Sequence, residues 1–344
     1  MPTACILQPE ASIHLVSERL EVHGLDEQEN QALLRVIPIR DLDRLILSEK
    51  VQVSSGAMAA LLRADISVSF LGWNGDFLGS FQPCTPSHGL ARLNQYKQFG
   101  DPAFVLPMAG RIVAAKVYNQ RRVLQRLSAS RAEDEAGSLA AAESIRSTLA
   151  WMDNLMASVA GCGSVDELRG YEGASTAKYF QAWAQFLPPD FPFERRSTRP
   201  PLNPVNACIS FGATMIYHEM HSFLHAHGLE PALGLLHSAD NQRWSLALDL
   251  LEPFRPVLVE ALALDLFSRE MLNKQHFEPA NQGVYLNDAG RRKFILQYER
   301  RMEREFMSEC AGHRTCLRQQ LENQAVMIKS ALANPESFQP FLMN

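Results

Sequence analysis

The chain is expected to be an α+β protein, with a small N-terminal β-sheet or sandwich domain followed by a larger all-α domain. Three observations predict this. Short β-branched or alternating runs fill residues 1–80. A stretch with Pro83, Pro86 and Gly89 follows. From Leu90 onward, apolar residues recur three and four apart. The boundaries that follow are a β-rich domain over 1–82, a linker over 83–90 and a helical domain over 91–344.

In chain order, strands are expected at Ala4–Leu7, Ser12–Val16, Arg19–Val22, Leu33–Ile39, Asp43–Leu47 and Val51–Val53. Ser54 or Ser55 can cap a short helix from Gly56 to Arg63, because a serine oxygen accepts the free amides of a first turn. A strand at Ile66–Leu71 comes next, then a two-residue hairpin turn at Asn74-Gly75 before Phe77. Helical periodicity covers residues 104–128, 134–159, 165–187, 206–227, 245–272 and 288–333. Pro-bearing breaks at 188–204 and near 279 separate them, and the acidic, Ala-rich stretch from Ala132 to Ala142 is expected as a solvated helix start or loop.

The 344 residues are 46% hydrophobic and 21% charged, which excludes a disordered tail or a collagen and leaves room for two domains. The net charge of −5 conceals an asymmetry. Residues 1–84 hold 6 Lys and Arg against 11 Asp and Glu, and the remainder holds 27 of each. Within residues 90–127, seven basic side chains face Asp101 alone, so a polyanion contact would be local. The basic helix over 111–126, with Arg121, Arg122 and Arg126, and the cluster Arg195, Arg196 and Arg199 read either as phosphate contacts or as solvated faces. No run of 18 apolar residues occurs, so no membrane span is expected. The first ten residues lack a basic segment followed by an apolar one, and the six cysteines are scattered. A cytoplasmic location with reduced thiols is the expectation.

Chemistry concentrates in a few places. Ser245–Pro256 is very apolar yet carries Asp249 and Glu252, three residues apart and so on one helical face. Two buried carboxylates repel and lose hydration unless a cation sits between them. Pro253 cannot donate to the carbonyl of Asp249, nor Pro256 to that of Glu252, so either a helix starts here or the backbone is irregular. Arg255 pairing with one acid is the plainer reading. His237 ends the apolar turn Gly228–His237, fifteen residues before Glu252. It is either a satisfied structural imidazole or a group returned to the same site. Glu172 lies beside Gly173, Ala174 and Ala177, small residues that would admit a close helix neighbour. His221 and His225 share a helical face and offer a zinc alternative. His218-Glu-Met-His lacks the zinc-protease spacing, and Cys310, His313 and Cys316 do not match common zinc patterns. No hydrolase elbow, Walker loop or dinucleotide fingerprint is found.

Taken together these stretches resemble the CRISPR-associated adaptation integrase, the catalytic protein of spacer acquisition. The resemblance is carried by Tyr171–Phe180, Arg199–Gly212, Gly228–His237 and Leu246–Pro256. Further support comes from Ile37–Leu47, Ser67–Gly72, Asp76–Gly79, Ala115–Arg122 and Gly290–Phe294. It implies an N-terminal dimerisation domain and a helical catalytic domain. It also implies an Mg²⁺ or Mn²⁺ site at Glu172, His237 and Glu252, with Asp249 a second acidic catalytic position. Which of Glu252 and Asp249 makes the closer metal contact stays open.

The activity implied is a metal-dependent DNA endonuclease and integrase. It joins the 3′-OH ends of short fragments into the CRISPR array by phosphodiester transesterification. Its implied partners are double-stranded and branched DNA, a second copy of the chain and a small adaptation protein. Lys116, Arg121, Arg122, Lys178, Arg195, Arg196, Arg199 and Arg255 are expected at DNA, with Lys178 or Asn206 at the scissile phosphate and Arg255 bracing the acids. The alternative is a catalytically idle nucleic-acid-binding scaffold of the same fold.

Overall fold

The computed structural model describes residues 3–25, 30–72, 77–84, 88–133, 139–239, 241, 243–309 and 312–344. They divide into two compact units, Met1–Pro86 and Ser87–Asn344.

The first unit holds β1 (Thr3–Ile6), β2 (Ser12–Val16), β3 (Arg19–Leu25), β4 (Gln31–Pro38), β5 (Arg44–Ser48), β6 (Gln52–Val53), α1 (Ser55–Arg63), β7 (Ser67–Leu71) and β8 (Phe77–Phe81). One sheet runs β1-β5-β7-β8, with the first three strands parallel. The other runs β4-β3-β2-β6. Leu45, Ile46 and Leu47 on the inner strand β5 are all buried, as expected of a parallel strand covered on both faces. β3 instead alternates, burying Leu20 and Val22 on one face. Ser54 caps α1 by accepting from the Ala57 amide at 3.3 Å. The core joins Ile13, Leu20, Leu45, Leu47, Leu61 and Val68, each without exposure. The edge strand β4 leaves Leu33, Leu34 and Val36 exposed. The Asn74-Gly75 turn lies outside the described residues.

The second unit begins with α2 (Gly89–Phe99), which starts inside the segment expected as linker. It continues with α3 (Pro102–Glu133), α4 (Leu139–Ala160), α5 (Val165–Trp183), α6 (Pro204–Ala226), α7 (Ser245–Leu251) and α8 (Ala261–Ser268). A hairpin of β9 (Phe277–Ala280) and β10 (Gly283–Leu286) follows, then α9 (Asp288–Glu303), a second hairpin of β11 (Phe306–Ser308) and β12 (His313–Thr315), and α10 (Leu317–Ala331). The periodic run at 288–333 is therefore two helices with a hairpin between them. The apolar spacing survives on both flanks, and the hairpin's Gly312 has φ +70°, which no helix admits. Residues 134–138 of the Ala132–Ala142 stretch lie outside the described residues, 132–133 end α3 and 139–142 open α4.

Helices α6, α9 and α10 are joined by a buried ion cluster. Arg318, 3% exposed, pairs with Glu219 at 3.1 Å, with Glu299 at 2.9 Å and with Glu303, and the Tyr298 hydroxyl donates to Glu219 at 3.1 Å. Burial opposes the charge on the guanidinium, and the surrounding carboxylates more than offset it, raising its pKa. Among the described residues no helix is long and apolar enough to cross a membrane.

Candidate active site

The segment from Ser245 to Ser268 is helical throughout but changes pitch three times. α7 gives way to a 3₁₀ turn at Glu252–Phe254, then to a π turn at Arg255–Glu260, before α8 resumes. The prolines are the cause. Neither Pro253 nor Pro256 has an amide to donate, so the carbonyls of Asp249 and Glu252 lose their regular partners. The Asp249 carbonyl takes the Glu252 amide instead. The freed Pro253 carbonyl accepts from Asn119 of α3 at 2.7 Å, and the same side-chain amide donates to the Phe341 carbonyl at 2.9 Å. The change of pitch sends the two acids to different neighbours.

Asp249 is fully buried and holds the loop ahead of α7. Its Oδ2 accepts from the amides of Leu235 and Leu236 at 2.5 and 3.0 Å, and its Oδ1 from the His237 amide at 3.0 Å. Oδ1 also meets His237 Nδ1 at 2.6 Å. Gly234 permits this wrap. A Cβ there would lie 2.3 Å from the His237 carbonyl oxygen and 3.0 Å from Asp249 Oδ2. Burial disfavours the imidazolium, but the hydrogen bond and charge of Asp249, then Glu252 and Glu172, outweigh it and raise the His237 pKa. Asp249, expected as a catalytic acid, has both oxygens engaged by this loop, on the amides of Leu235, Leu236 and His237 and on the His237 ring.

Glu252 turns to the opposite side, toward α3 and α5. Its Oε2 lies 2.5 Å from the ammonium of Lys116, and its Oε1 accepts from Arg255 at 3.1 Å. The same ammonium pairs with Glu172 of α5, whose Oε1 also accepts from Thr176 at 3.0 Å. Ser164 starts α5 by capping the Glu167 amide, and Ser175 ties α5 to α3 through Gln120 at 2.6 Å. Burial raises the Glu252 pKa, yet Lys116, Arg255 and His237 overcome it and hold the carboxyl at about 2. Burial likewise opposes the Lys116 ammonium, and Glu252 and Glu172 raise its pKa in return. Residues from three elements distant in sequence thus meet around one cation, with His237 close enough to feel both acids.

Two carboxylates and an imidazole are the donor set that Mg²⁺ or Mn²⁺ accepts. Glu252 Oε2 is buried and faces the Lys116 ammonium at 2.5 Å. By donor chemistry the residues fit such an ion. In this conformation the ammonium stands between the acids, and among the described residues no three His, Cys, Asp or Glu side chains are close enough together to ligate one ion.

Other expected residues fall differently. Lys116, expected at DNA, is 3% exposed and belongs to the acid cluster. Asn206 is also buried. Its Oδ1 accepts from Arg196 at 2.8 Å and its Nδ2 donates to the Arg195 carbonyl at 3.0 Å, so it does not face a scissile phosphate. Arg196 is half-buried, bonded to Ser197, Asn206 and Ser210, and burial together with Arg255 lowers its pKa to about 10. It braces the chain ahead of α6. Arg121 pairs with Asp153, and Arg122 bonds Gln125 of its own helix. Lys178, Arg195 and Arg199 are exposed, with Lys178 5.9 Å from the Trp151 ring centroid. Gly173, Ala174 and Ala177 admit no helix. They are exposed, and nothing stands within 4 Å of a Cβ on Gly173, so the α5 flank beside Glu172 is open. His221 and His225 lie 4.5 Å apart, but His221 stacks on Trp244 at 3.4 Å. Cys310 lies outside the described residues, and Cys316 is buried at the start of α10.

Two features escaped sequence reading. Glu260, 2% exposed, sits on the π turn near Arg255 and Lys116, and burial raises its pKa. Its place eight residues after Glu252, on the same proline-broken segment, was the available signal. A cavity of about 440 Å³ beside Val257 is rimmed by Arg126, Arg269, Arg300, Arg301 and Arg304. The run of arginines late in α9 could have announced it.

The family model described as "CRISPR associated protein Cas1" matches residues 4–300. A CRISPR-associated endonuclease Cas1 of Thermus thermophilus is 33% identical over 306 residues, covering 89% of this chain and 90% of its own. One from Rhodospirillum rubrum is 33% identical over 286 residues, covering 80% and 81%. Among solved structures, a casposase bound to integration product superposes with a TM-score of 0.83 at 20% identity, over 97% of this chain and 91% of its own. A CAS1 protein from Thermotoga maritima gives 0.75 at 21% identity over the whole of both chains. A Cas6-RT-Cas1–Cas2 complex gives 0.77 at 23% over 99% of this chain and 36% of the other. With most of its length matched by the family model, and with relatives a third identical over four-fifths or more of it, the chain belongs to the Cas1 family of CRISPR-associated proteins.

Proposed function

We propose that this protein is a divalent-metal-dependent DNA endonuclease and integrase of CRISPR adaptation, joining 3′-OH ends of short fragments into the array by transesterification. One observation carries this reading. Glu172 and Glu252, eighty residues apart in sequence, converge on a single cation beside a His237 that is fixed by Asp249. Glu172, His237 and Glu252 would hold Mg²⁺ or Mn²⁺, which supplies neutralisation of phosphate charge and activation of a hydroxyl nucleophile. Asp249 fixes the ring and leaves Nε2 as the nitrogen free to ligate. Arg255 holds Glu252 by its other oxygen. The open flank of α5 gives a phosphodiester backbone access to Glu172. The exposed Lys178, Arg195 and Arg199 are the cations available to position phosphates.

Relatives named as endonucleases support the nuclease activity. The casposase solved with its integration product is in keeping with DNA joining. Neighbours solved as Cas1–Cas2 assemblies support a small Cas2-type partner. The exposed Leu33, Leu34 and Val36 on edge strand β4 support a homodimer built through the first unit.

The test is strand transfer and cleavage on a branched DNA joint, with Mn²⁺ or EDTA and with the Cas2-type partner added. Wild type and folded Glu172→Ala, His237→Ala and Glu252→Ala variants are compared. Activity that requires the ion and falls by about 10² or more in each variant is expected. Retention of full transfer by all three would sink the site. The scaffold reading has one observation in its favour: an ammonium that neutralises the acids without a metal. It predicts DNA binding unchanged by EDTA and no transfer under any condition.

A further inference from the structure

Lys116 is not explained by DNA contact or by surface solvation. It projects from α3 at 3% exposure and meets Glu252 Oε2 at 2.5 Å as well as Glu172. A buried ammonium is costly unless paired, and so are two buried carboxylates. Here each removes the other's penalty. The remaining carboxylate contacts are made by neutral or peripheral groups, Thr176 on Glu172 and the partly exposed Arg255 on Glu252 Oε1. The oxygens engaged by the ammonium are those a divalent ion bridging the two acids would need. An ammonium and a divalent ion held between the same two acids are like charges that repel and crowd one another.

We propose that Lys116 is the resident cation of the metal-free site: it gathers Glu172 and Glu252 around its ammonium and is displaced from them when a divalent cation enters. The inference rests on the metal-site reading above. It makes cation affinity the outcome of a competition with a side chain of the same protein.

The experiment measures Mn²⁺ uptake from the loss of the free-ion EPR signal, together with thermal midpoints in EDTA and in saturating Mn²⁺. It uses the full-length protein without DNA. Wild type, Lys116→Met, Lys116→Gln and Glu252→Gln are compared. Lys116→Met is expected to melt lower than wild type in EDTA, to bind Mn²⁺ roughly tenfold or more tightly, and to gain more in midpoint from the ion. A Lys116→Met chain that folds only with Mn²⁺ gives the same answer. Lys116→Gln, whose amide still donates to the acids, then supplies the affinity. Unchanged or weaker Mn²⁺ binding in both lysine variants, with uptake abolished by Glu252→Gln, overturns the competition and leaves the metal site standing. Wild-type uptake that survives Glu252→Gln removes the metal site and the inference together.

Discussion

Replacing Asp249 by Asn tests whether this residue organises the His237 loop. The substitution keeps size and one oxygen but turns the other acceptor into a donor. Whichever way the amide is oriented, its NH₂ confronts main-chain N–H groups: those of Leu235 and Leu236, 2.5 and 3.0 Å from Oδ2, or that of His237 at 3.0 Å from Oδ1. Hydrogen bonds to a charged acceptor contribute about 1.5–3 kcal/mol each, so losing two costs about 3–5 kcal/mol after some relaxation of the loop. For a helical unit of this size that lowers the midpoint by on the order of 10 °C, read by calorimetry at pH 7. NMR titration gives a second readout. The His237 pKa, raised in the folded wild type by Asp249, is expected to drop in the variant. A folded pKa above the unfolded one adds stability that is fully present below about 6.5 and is lost as pH rises through the folded value. That part of the wild-type pH dependence should therefore shrink. A variant within about 1 kcal/mol of wild type, with an unshifted His237 titration, would refute the argument.

Three further outcomes follow from the same geometry. Gly234→Ala drives a methyl to 2.3 Å from the His237 carbonyl oxygen. It should cost about 2–3 kcal/mol in urea unfolding and abolish strand transfer, whereas near-wild-type values would mean the loop closes differently. Glu252, held at about 2 against an ordinary 4.5, contributes stability that is present above the unfolded pKa and lost as pH falls through the folded one. The stability gap between wild type and Glu252→Gln should accordingly narrow as pH is lowered from about 4.5 toward about 2, and a constant gap would contradict the pairing with Lys116. Arg318→Met removes the cation that Glu219, Glu299 and Glu303 share. It should lower stability by about 3–5 kcal/mol while leaving metal-dependent transfer by the folded fraction intact, as denaturant midpoints and activity at low temperature would show.

Burial alternation and capping residues were readable in the chain because they are local. β2 spans Ser12–Val16 as its period-two pattern requires, and Ser54 caps α1 as expected. The helix starts at Val165 and Ser245 also follow from local spacing. The hairpin inside 288–333 was not legible, because the helical apolar spacing on both flanks masks a turn of a few residues. At the site, the types and positions of Glu172, His237 and Glu252 could be singled out. Their partners could not. Lys116 read as one more cation on a basic helix, and Asn206 as a candidate contact to the scissile phosphate. Only tertiary packing shows that the first lies between two acids and that the second is consumed by Arg195, Arg196 and Ser197.

The irregular pitch after α7 resolves the difficulty that the sequence posed. In an unbroken α-helix, Asp249 and Glu252 would lie one turn apart on the same face, and two carboxylates buried there would repel. With Pro253 and Pro256 the helix tightens and then widens. Asp249 is left facing the amides of the Leu235–His237 loop, while Glu252 swings to the α3–α5 side. Each acid then finds its own compensation, peptide dipoles for one and the Lys116 and Arg255 cations for the other. Asn119 secures the broken turn by taking up the Pro253 carbonyl and tying it to the C-terminal segment through Phe341 and Met343. The prolines that would disqualify an ordinary helix thus leave Asp249 on the His237 loop and Glu252 on the α3–α5 side. Restoring the helix with Pro253→Ala and Pro256→Ala together should bring the acids back toward one face. The Glu252 carboxyl would then titrate higher and Mn²⁺ uptake would weaken, although neither proline touches an ion. Unchanged uptake in that double variant would show that packing by α3 and α5, rather than the missing amides, sets the direction of Glu252.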